Sequence, residues 1–145
     1  MKNKTKLNTG FFVAWILTFI FLYGISYLWH GVLLNDFSRV TYPINVFLMI
    51  LAVVYFVIAF FLTFLTHFLT QFGKNEVRRG VLVGMPMGLF IYMIAFVFGI
   101  SFYSNPSLGH ILLDLSWQVI EQGMGGFVAG GILSISAVVS SNKAF

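Results

Sequence analysis

The stretch that decides the fold runs from His110 to Ile132 and reads HILLDLSWQVIEQGMGGFVAGGI. It is apolar enough to cross a bilayer, yet it contains a histidine, two carboxylates, two glutamines and five glycines. Ionisable groups inside a membrane are costly, and they usually face the protein interior or a watery cavity. We therefore interpret this stretch as the inward-facing helix of a small membrane bundle.

The polar residues of this stretch share one face of the predicted helix. Each residue of an α-helix advances by about 100°, so the spacing i, i+4, i+7, i+11 defines a narrow stripe. This spacing is found at His110, Asp114, Trp117 and Glu121. Further along, Gly126 and Gly130 form a GxxxG pair, at which another helix can approach closely. We predict that the stripe faces the bundle interior and that the glycine pair packs against a neighbouring helix.

The composition is that of a membrane protein. Of the 145 residues, 59% are hydrophobic and 8% are charged, whereas soluble domains carry roughly 25% charged residues. Four apolar stretches predict spans at about 11–34, 44–72, 80–103 and 107–139. The absence of cysteine excludes disulfides and thiolate sites. The sequence therefore predicts one all-α domain, an integral membrane four-helix bundle.

The distribution of Lys and Arg predicts the orientation of the bundle. Four spans place both termini on one side of the membrane, together with the loop between the second and third spans. Seven of the eight Lys and Arg residues fall on that side, namely Lys2, Lys4, Lys6, Lys74, Arg78, Arg79 and Lys143. Arg39 falls on the other side. Because cytoplasmic loops carry an excess of Lys and Arg, we expect cytoplasmic termini and a location in the cytoplasmic (inner) cell membrane.

Proline and asparagine residues predict where the helices begin. Proline suits the first turn of a helix, because its missing N–H group is unpaired there in any case. Pro43 is therefore expected in the first turn of the second helix, and Asn105-Pro106 as the cap and first turn of the fourth. Asn75 is expected to cap the third helix. Pro86 is expected to kink that helix near its start.

A second polar stripe lies on the first span. The spacing i, i+3, i+4, i+7 is found at Tyr23, Ser26, Tyr27 and His30. Because the first and fourth spans run in opposite directions, the two stripes have matching depths. If the helices are neighbours, the stripes enclose a pocket that opens outward, with Asp36 at its rim. Its aromatic walls would come from Tyr23, Tyr27, Trp29 and Trp117. The candidates for binding a ligand or a proton are His30, His110, Asp114, Trp117, Glu121, Tyr23 and Tyr27.

Structural interpretations of the same residues stay open. Trp29 and His30 also suit the membrane interface. Asp114 also suits the start of a helix, where a negative charge is favoured by the helix dipole. A protonated Glu121 that is hydrogen-bonded to Tyr or Ser would stabilise packing alone. No cofactor is predicted; haem or metal binding at His30 and His110 is an alternative that no HExxH, ExxH or haem motif supports.

Two short motifs resemble a known class of protein. The first span closes with WHG at residues 29–31, and the last span contains DLSWQVIEQGMGG at residues 114–126. In these motifs and in hydropathy, the chain resembles small uncharacterised bacterial four-span membrane proteins that are classed as domains of unknown function. The resemblance implies a four-span fold and carries no substrate.

Three functions fit the sequence. The first is a membrane protein that binds or passes a small solute, or protons, in the outward-facing pocket. The second is a structural subunit of a larger membrane complex, and the third is a membrane enzyme that acts on a lipid-like or quinone-like substrate through Glu121 and His30. The expected partners are the lipid bilayer and either other membrane subunits or further copies of the chain. No nucleic-acid partner is expected, because the basic residues form no binding patch.

Overall fold

The computed structural model describes residues 7–142, and the regular structure of these residues is helical throughout. Four α-helices, α1 to α4, comprise Thr9–Ser26, Ile44–Phe68, Glu76–Val97 and Leu108–Asn142. A π-helical segment, Tyr27–Leu33, continues α1, and short 3-10 turns lie at Asp36–Arg39 and Thr70–Phe72. Each of the four helices, with α1 taken together with its π-helical continuation, is long and apolar enough to cross a membrane. The prediction of an all-α chain with four helices of spanning length is confirmed.

Capping explains the start of α3. The side chain of Asn75 accepts a hydrogen bond from the backbone N–H of Arg78 at 3.0 Å, as predicted. The helix therefore begins at Glu76, ahead of the apolar residues that marked its span. At α2, Pro43 occupies the N-cap position and not the first turn, and the helix begins at the next residue.

The start of α4 differs from the prediction. Asn105 does not cap this helix, because the chain makes a further turn before α4 begins at Leu108. The capping residue is Ser107, whose hydroxyl accepts a hydrogen bond from the backbone N–H of His110 at 3.3 Å. Pro106 therefore precedes the cap instead of forming the first helical turn. A serine at this position caps as well as an asparagine.

The end of α3 comes earlier than the predicted span of 80–103. The helix ends at Val97, and Gly99 follows in a left-handed conformation with φ of 66°. The N–H of Ile100 bonds to the carbonyl of Ala95 at 2.9 Å, and the N–H of Gly99 bonds to the carbonyl of Phe96 at 3.1 Å. This is a Schellman motif, the common way in which glycine ends a helix. The residues after Gly99 are apolar, so hydropathy alone extended the span through them.

Consecutive helices run in opposite directions, and α4 contacts each of the other three. At one end of the bundle Gly10 lies so close to Ser136 that any side chain at Gly10 would overlap the serine hydroxyl. At the other end, the rings of Trp29 and Trp117 stack with centroids 4.1 Å apart. The start of α1 and the end of α4 therefore lie at the same end of the molecule, here called the terminal end. The opposite end is called the loop end.

The apolar core lies in the middle of the bundle. Its buried members come from three helices and are Leu22, Tyr55, Ala59, Leu62 and Val83. Apolar side chains on α1 and α2 pack around them. This cluster separates the polar interior of the loop end from the polar residues of the terminal end.

Glycines determine how α3 and α4 approach each other. On α3 they recur every fourth residue, at Gly80, Gly84 and Gly88, and on α4 they lie at Gly126 and Gly130. A side chain at any of these positions would overlap backbone atoms of the facing helix. The two helices therefore touch backbone to backbone along about three turns.

The outer surface is apolar. Many large apolar side chains are more than half exposed, among them Ile20, Val53, Phe90, Val97 and Phe127. A soluble monomer rarely exposes apolar patches of this extent. Together with the four helices of spanning length, this surface indicates a multi-pass membrane protein.

The basic residues of the terminal end have two different environments. Lys74, between α2 and α3, and Arg78, in the first turn of α3, are exposed. Arg79, which the sequence places on the same side of the membrane, is by contrast only 1% exposed. Its guanidinium donates hydrogen bonds to the carbonyl oxygens of Thr66 and Gly73, which lie at and just beyond the end of α2. The other basic residues on which the predicted orientation depends lie outside the described residues; they are Lys2, Lys4, Lys6 and Lys143.

Candidate functional site

The π-helical segment positions His30. Its wide turns, with i to i+5 hydrogen bonds, are rare and often accompany functional sites. His30 Nδ1 donates a hydrogen bond to Asp36 Oδ2 at 2.8 Å, and the guanidinium of Arg39 binds Asp36 Oδ1. Asp36 is fully buried beneath these two side chains. The prediction that Asp36 lies at the rim of the pocket is therefore wrong. Its burial is tolerated because the two donors, His30 and Arg39, compensate for the loss of hydration.

Deeper in the bundle, three helices meet at the hydroxyl of Tyr55. This oxygen lies 2.7 Å from Ser26 Oγ on α1 and 2.8 Å from Glu121 Oε1 on α4. A phenol carries one proton, so the Tyr55 hydroxyl donates to one of these two oxygens at a time. The interior placement of Glu121 next to the stripe of the first span follows the prediction, with Ser26 as its nearest member and Tyr55 as the bridge.

Two carboxylate oxygens of α4 are buried without a hydrogen-bond partner among the described residues. They are Glu121 Oε2 and Asp114 Oδ1. Glu121 is fully buried, whereas Asp114 is partly exposed. Because buried polar atoms in proteins are nearly always paired, these oxygens are the places where a proton, a water molecule or a ligand group would complete the site.

The remaining members of the predicted stripe on α4 are His110 and Trp117. The ring of His110 stacks on Tyr103 with centroids 3.9 Å apart, and its Nδ1 lies 3.1 Å from Ser107 Oγ. Trp117 stacks on Trp29 across the interface between α1 and α4. His110 therefore holds the α3–α4 loop, and Trp117 holds the first helix. Within residues 7–142, no group of three or more His, Asp or Glu side chains is arranged to hold a metal ion.

Tyr23 and Tyr27 are not placed beside Glu121. The hydroxyl of Tyr23 donates to the carbonyl of Leu48 at 3.5 Å, and the ring of Tyr27 packs on Phe37 and is 43% exposed. The predicted stripe assumed about 100° per residue throughout. That assumption holds through Tyr23, which lies in α1 on the side that meets α2. From Tyr27 onward the chain is π-helical, so the wider turns change the register only of the residues after Tyr27, His30 among them.

A cavity of about 600 Å³ opens at the loop end of the bundle. Its deep end is formed by Ser26 and Tyr55, and its polar walls include His30, Asp114 and Gln118. The outer part of the cavity is lined by residues 37 and 39–42 of the connection from α1 to α2 and by residues 99–104 of the connection from α3 to α4. The cavity therefore leads from the loops to the hydroxyl pair that holds Glu121.

The two loops around the cavity are joined by Tyr103. The guanidinium carbon of Arg39 lies 4.4 Å from the centroid of this ring, and His110 stacks on the ring as well. A cation over an aromatic face is attracted by the ring's quadrupole. The contact links the first loop to the third and fixes Arg39 between Asp36 and Tyr103.

Sequence reasoning missed three residues of this site. Tyr55 lies in a largely apolar span, and its hydroxyl group is the feature of the sequence that could have identified it as a site residue. Gln118 follows Asp114 by one helical turn and so belongs to the same face of α4. Arg39 was treated only as an orienting charge, although it comes three residues after Asp36, the spacing of an ion pair within one turn.

No protein-family model, curated protein or solved structure matches the chain. The site is therefore interpreted from its own geometry and chemistry.

Proposed function

We propose that this chain is an integral membrane protein whose cavity binds a small solute or exchanges protons with the outer side of the membrane. The observation that carries the proposal is the cavity of about 600 Å³ that ends at Ser26 and Tyr55, with Glu121 directly behind them. Cavities of roughly 300–1,000 Å³ are the usual size for small-molecule sites. The unpaired oxygens of Asp114 and Glu121 provide the polar groups that such a site needs.

The shape of the interior supports a pocket that is accessible from one side. Leu22 precedes Ser26 by one turn of α1, and Ala59 follows Tyr55 by one turn of α2. Both belong to the apolar core cluster, which lies on the terminal side of the hydroxyl pair. In this conformation a solute that enters from the loop end meets the apolar cluster below Tyr55. Passage across the membrane requires a second conformation, whereas binding does not.

The proposal places both termini in the cytoplasm and the cavity on the opposite side of the cytoplasmic membrane. Its support is the excess of Lys and Arg at the terminal end. The close contact through Gly126 and Gly130 completes the proposal, since GxxxG pairs allow helices to pack tightly within lipid. Membership in the bacterial four-span class of unknown function stays a prediction.

Identification of the molecules that co-purify with the protein tests the proposal. Native mass spectrometry of the wild type is compared with Ala95→Trp, which places an indole in the cavity wall. The matched control is Ala137→Trp, at an exposed position of α4. We expect a small molecule that is retained by the wild type and by Ala137→Trp and lost in Ala95→Trp. Equal retention by all three proteins would contradict the pocket.

The same purified protein distinguishes the proposed function from the two alternatives, a structural subunit and a membrane enzyme. A fixed set of co-purifying subunits, without a small molecule, favours a structural subunit of a larger complex. Chemical conversion of an added lipid or quinone favours an enzyme. Neither result is expected.

Glu121→Gln tests the part of the proposal that concerns protons. The amide oxygen keeps the hydrogen bond from Tyr55 and the shape of the side chain, but the group no longer titrates. We expect this variant to fold and to elute as the wild type does, and to lose proton exchange or solute binding in proteoliposomes. If Glu121 has a packing role alone, the variant will behave as the wild type in both assays.

A further inference from the structure

We propose that the ligand of this cavity carries an ammonium group, which Asp114 neutralises and aromatic rings surround. The inference rests on the proposed function and specifies its ligand. It follows from the charges that remain around the cavity after each internal pairing is taken into account.

The first pairing satisfies Asp36. Both of its carboxylate oxygens are occupied, one by His30 Nδ1 at 2.8 Å and the other by Arg39. The positive charge of Arg39 therefore already has its counter-charge. The guanidinium also lies over the ring of Tyr103. An anionic ligand would have to compete with Asp36 for Arg39.

The second pairing concerns His110, which faces Asp114 from the same helix. The backbone N–H of Ser107 lies 3.2 Å from His110 Nδ1 and donates to it. This contact engages His110 Nδ1 with Ser107. His30 Nδ1 is engaged by Asp36. Neither histidine therefore forms a hydrogen bond or an ion pair with Asp114 in the described part of the chain.

Asp114 is left as the unmatched charge. It lines the cavity, takes part in no ion pair within the described part of the chain, and has one oxygen buried without a partner. Glu121 Oε2, beneath the Ser26–Tyr55 pair, is fully buried and also unpartnered. A buried or partly buried carboxylate without a counter-charge is costly. A cation in the cavity would remove that cost.

The walls of the cavity favour an organic cation over a bare metal ion. Seven Phe and Tyr side chains from the loops and from α2 and α3 line it: Phe37, Tyr42, Phe47, Tyr55, Tyr92, Phe102 and Tyr103. Aromatic faces attract ammonium groups and pack against their methyl or alkyl substituents. A metal ion would need several convergent ligands, and no group of three or more His, Asp or Glu side chains that could hold one occurs within residues 7–142. A carboxylate within an aromatic cavity is the arrangement that suits an amine or a quaternary ammonium ion.

Calorimetric titration tests the inference. The protein is held in nanodiscs of phosphatidylglycerol, a lipid without an amine, and titrated with benzyltrimethylammonium. Benzyl alcohol and phenylacetate serve as neutral and anionic compounds with the same ring. We expect binding of the cation alone. Asp114→Asn is expected to weaken this binding by about tenfold or more, because it removes a charge-assisted contact.

Two further variants separate a lost charge from a lost fold. Asp114→Glu keeps the charge and should restore most of the binding that Asp114→Asn loses. Glu76→Gln removes a carboxylate at the terminal end, far from the cavity, and should bind as the wild type does. The inference is overturned if Asp114→Asn binds the cation as well as the wild type, or if Asp114→Glu, eluting as a folded protein, binds no better than Asp114→Asn.

The source of the ammonium group is tested by adding phosphatidylethanolamine to the nanodiscs. Competition with benzyltrimethylammonium would identify a lipid headgroup, and its absence would identify a soluble amine. Binding of benzyl alcohol or phenylacetate that Ala95→Trp abolishes would refute the ammonium ligand and leave the pocket intact. If no compound binds and Ala95→Trp retains the same co-purified molecules as the wild type, both the inference and the proposed function fail.

Discussion

At the scale of single residues, Tyr55 joins α2 to α1 and α4 through one hydroxyl group. Tyr55→Phe keeps the ring in the core and leaves Ser26 Oγ and Glu121 Oε1 without this partner. We expect the free energy of unfolding in detergent to fall by about 1–3 kcal/mol, the usual cost of unsatisfied buried polar groups. Tyr42→Phe is the control, because Tyr42 is 52% exposed. Equal stability of the two variants would contradict a structural role for the bridge.

Arg79 and Arg78 provide a second test with a built-in control. They are neighbours in sequence, yet Arg79 is buried and bonded to two carbonyl oxygens, while Arg78 is exposed. Arg79→Met should lower the free energy of unfolding by about 2–3 kcal/mol, since charged donors to buried acceptors contribute that much. Arg78→Met should change it by less than about 0.5 kcal/mol. Both are measured by chemical unfolding in the same detergent, and similar losses would show that the buried contacts are unimportant.

The sequence predicted some residues of the site for a sound physical reason and missed others for an equally clear one. Glu121 was expected in the interior because a carboxylate in the middle of an apolar helix is costly in lipid. Tyr55 carries no charge and is tolerated at many depths, so nothing required it to face inward. Asp36 lies in a loop, where exposure is the normal expectation; its burial depends on His30 and Arg39 reaching it together.

At the scale of helices, the contact between α3 and α4 depends on glycine. A leucine at Gly126 would overlap the backbone at Gly80, and a leucine at Gly130 would overlap the backbone at Glu76. Backbone cannot move aside as a flexible side chain can. We expect either substitution to cost about 3 kcal/mol, the upper end of the range for overpacked cores. The measurements are thermal stability and the elution profile in detergent.

Gly131 is the matched control for this prediction. It lies on the same helix, next to Gly130, but a side chain there would meet no atom within 4 Å. Gly131→Leu should therefore leave assembly intact and improve helix propensity by up to about 1 kcal/mol. If Gly126→Leu and Gly130→Leu are as stable as Gly131→Leu, close packing at these glycines is not needed for the fold.

Helix ends were predictable where a side chain determines them and not where the backbone does. Asn75 marked the start of α3 correctly, because a side-chain acceptor before a helix has a recognisable pattern. The end of α3 depends on the left-handed Gly99, which the following apolar residues concealed. The π-helical turn at Tyr27–Leu33 also left no signal, because periodicity arguments assume a constant rotation per residue. These two features shape the loop end, where the cavity lies.

At the scale of the whole molecule, polarity is divided between the two ends of the bundle. The loop end contains the cavity, lined by Asp114 and Arg39, and the buried Asp36, whereas the terminal end contains Lys74, Arg78 and Arg79. The apolar cluster around Leu62 lies between them. Hydropathy and segment length predicted the number of helices, because both are properties of one continuous segment and do not depend on which segments pack together. Which side chains meet in the interior depends on helix rotation and on glycine contacts, which hydropathy does not encode.

Orientation in the membrane is the prediction on which the direction of the cavity depends. The excess of Lys and Arg at the terminal end leads us to expect that a fluorescent reporter after Phe145 is active and that alkaline phosphatase at that point is inactive. Fusions that end after Ser104, in the loop between α3 and α4, should give the reverse pattern. Both pairs are compared at equal expression. Phosphatase activity after Phe145 together with fluorescence after Ser104 would invert the bundle and open the cavity to the cytoplasm. Equal signals at both positions would place Ser104 and Phe145 on the same side of the membrane. That result would contradict four spans, because α4 would then not cross the membrane between these two points.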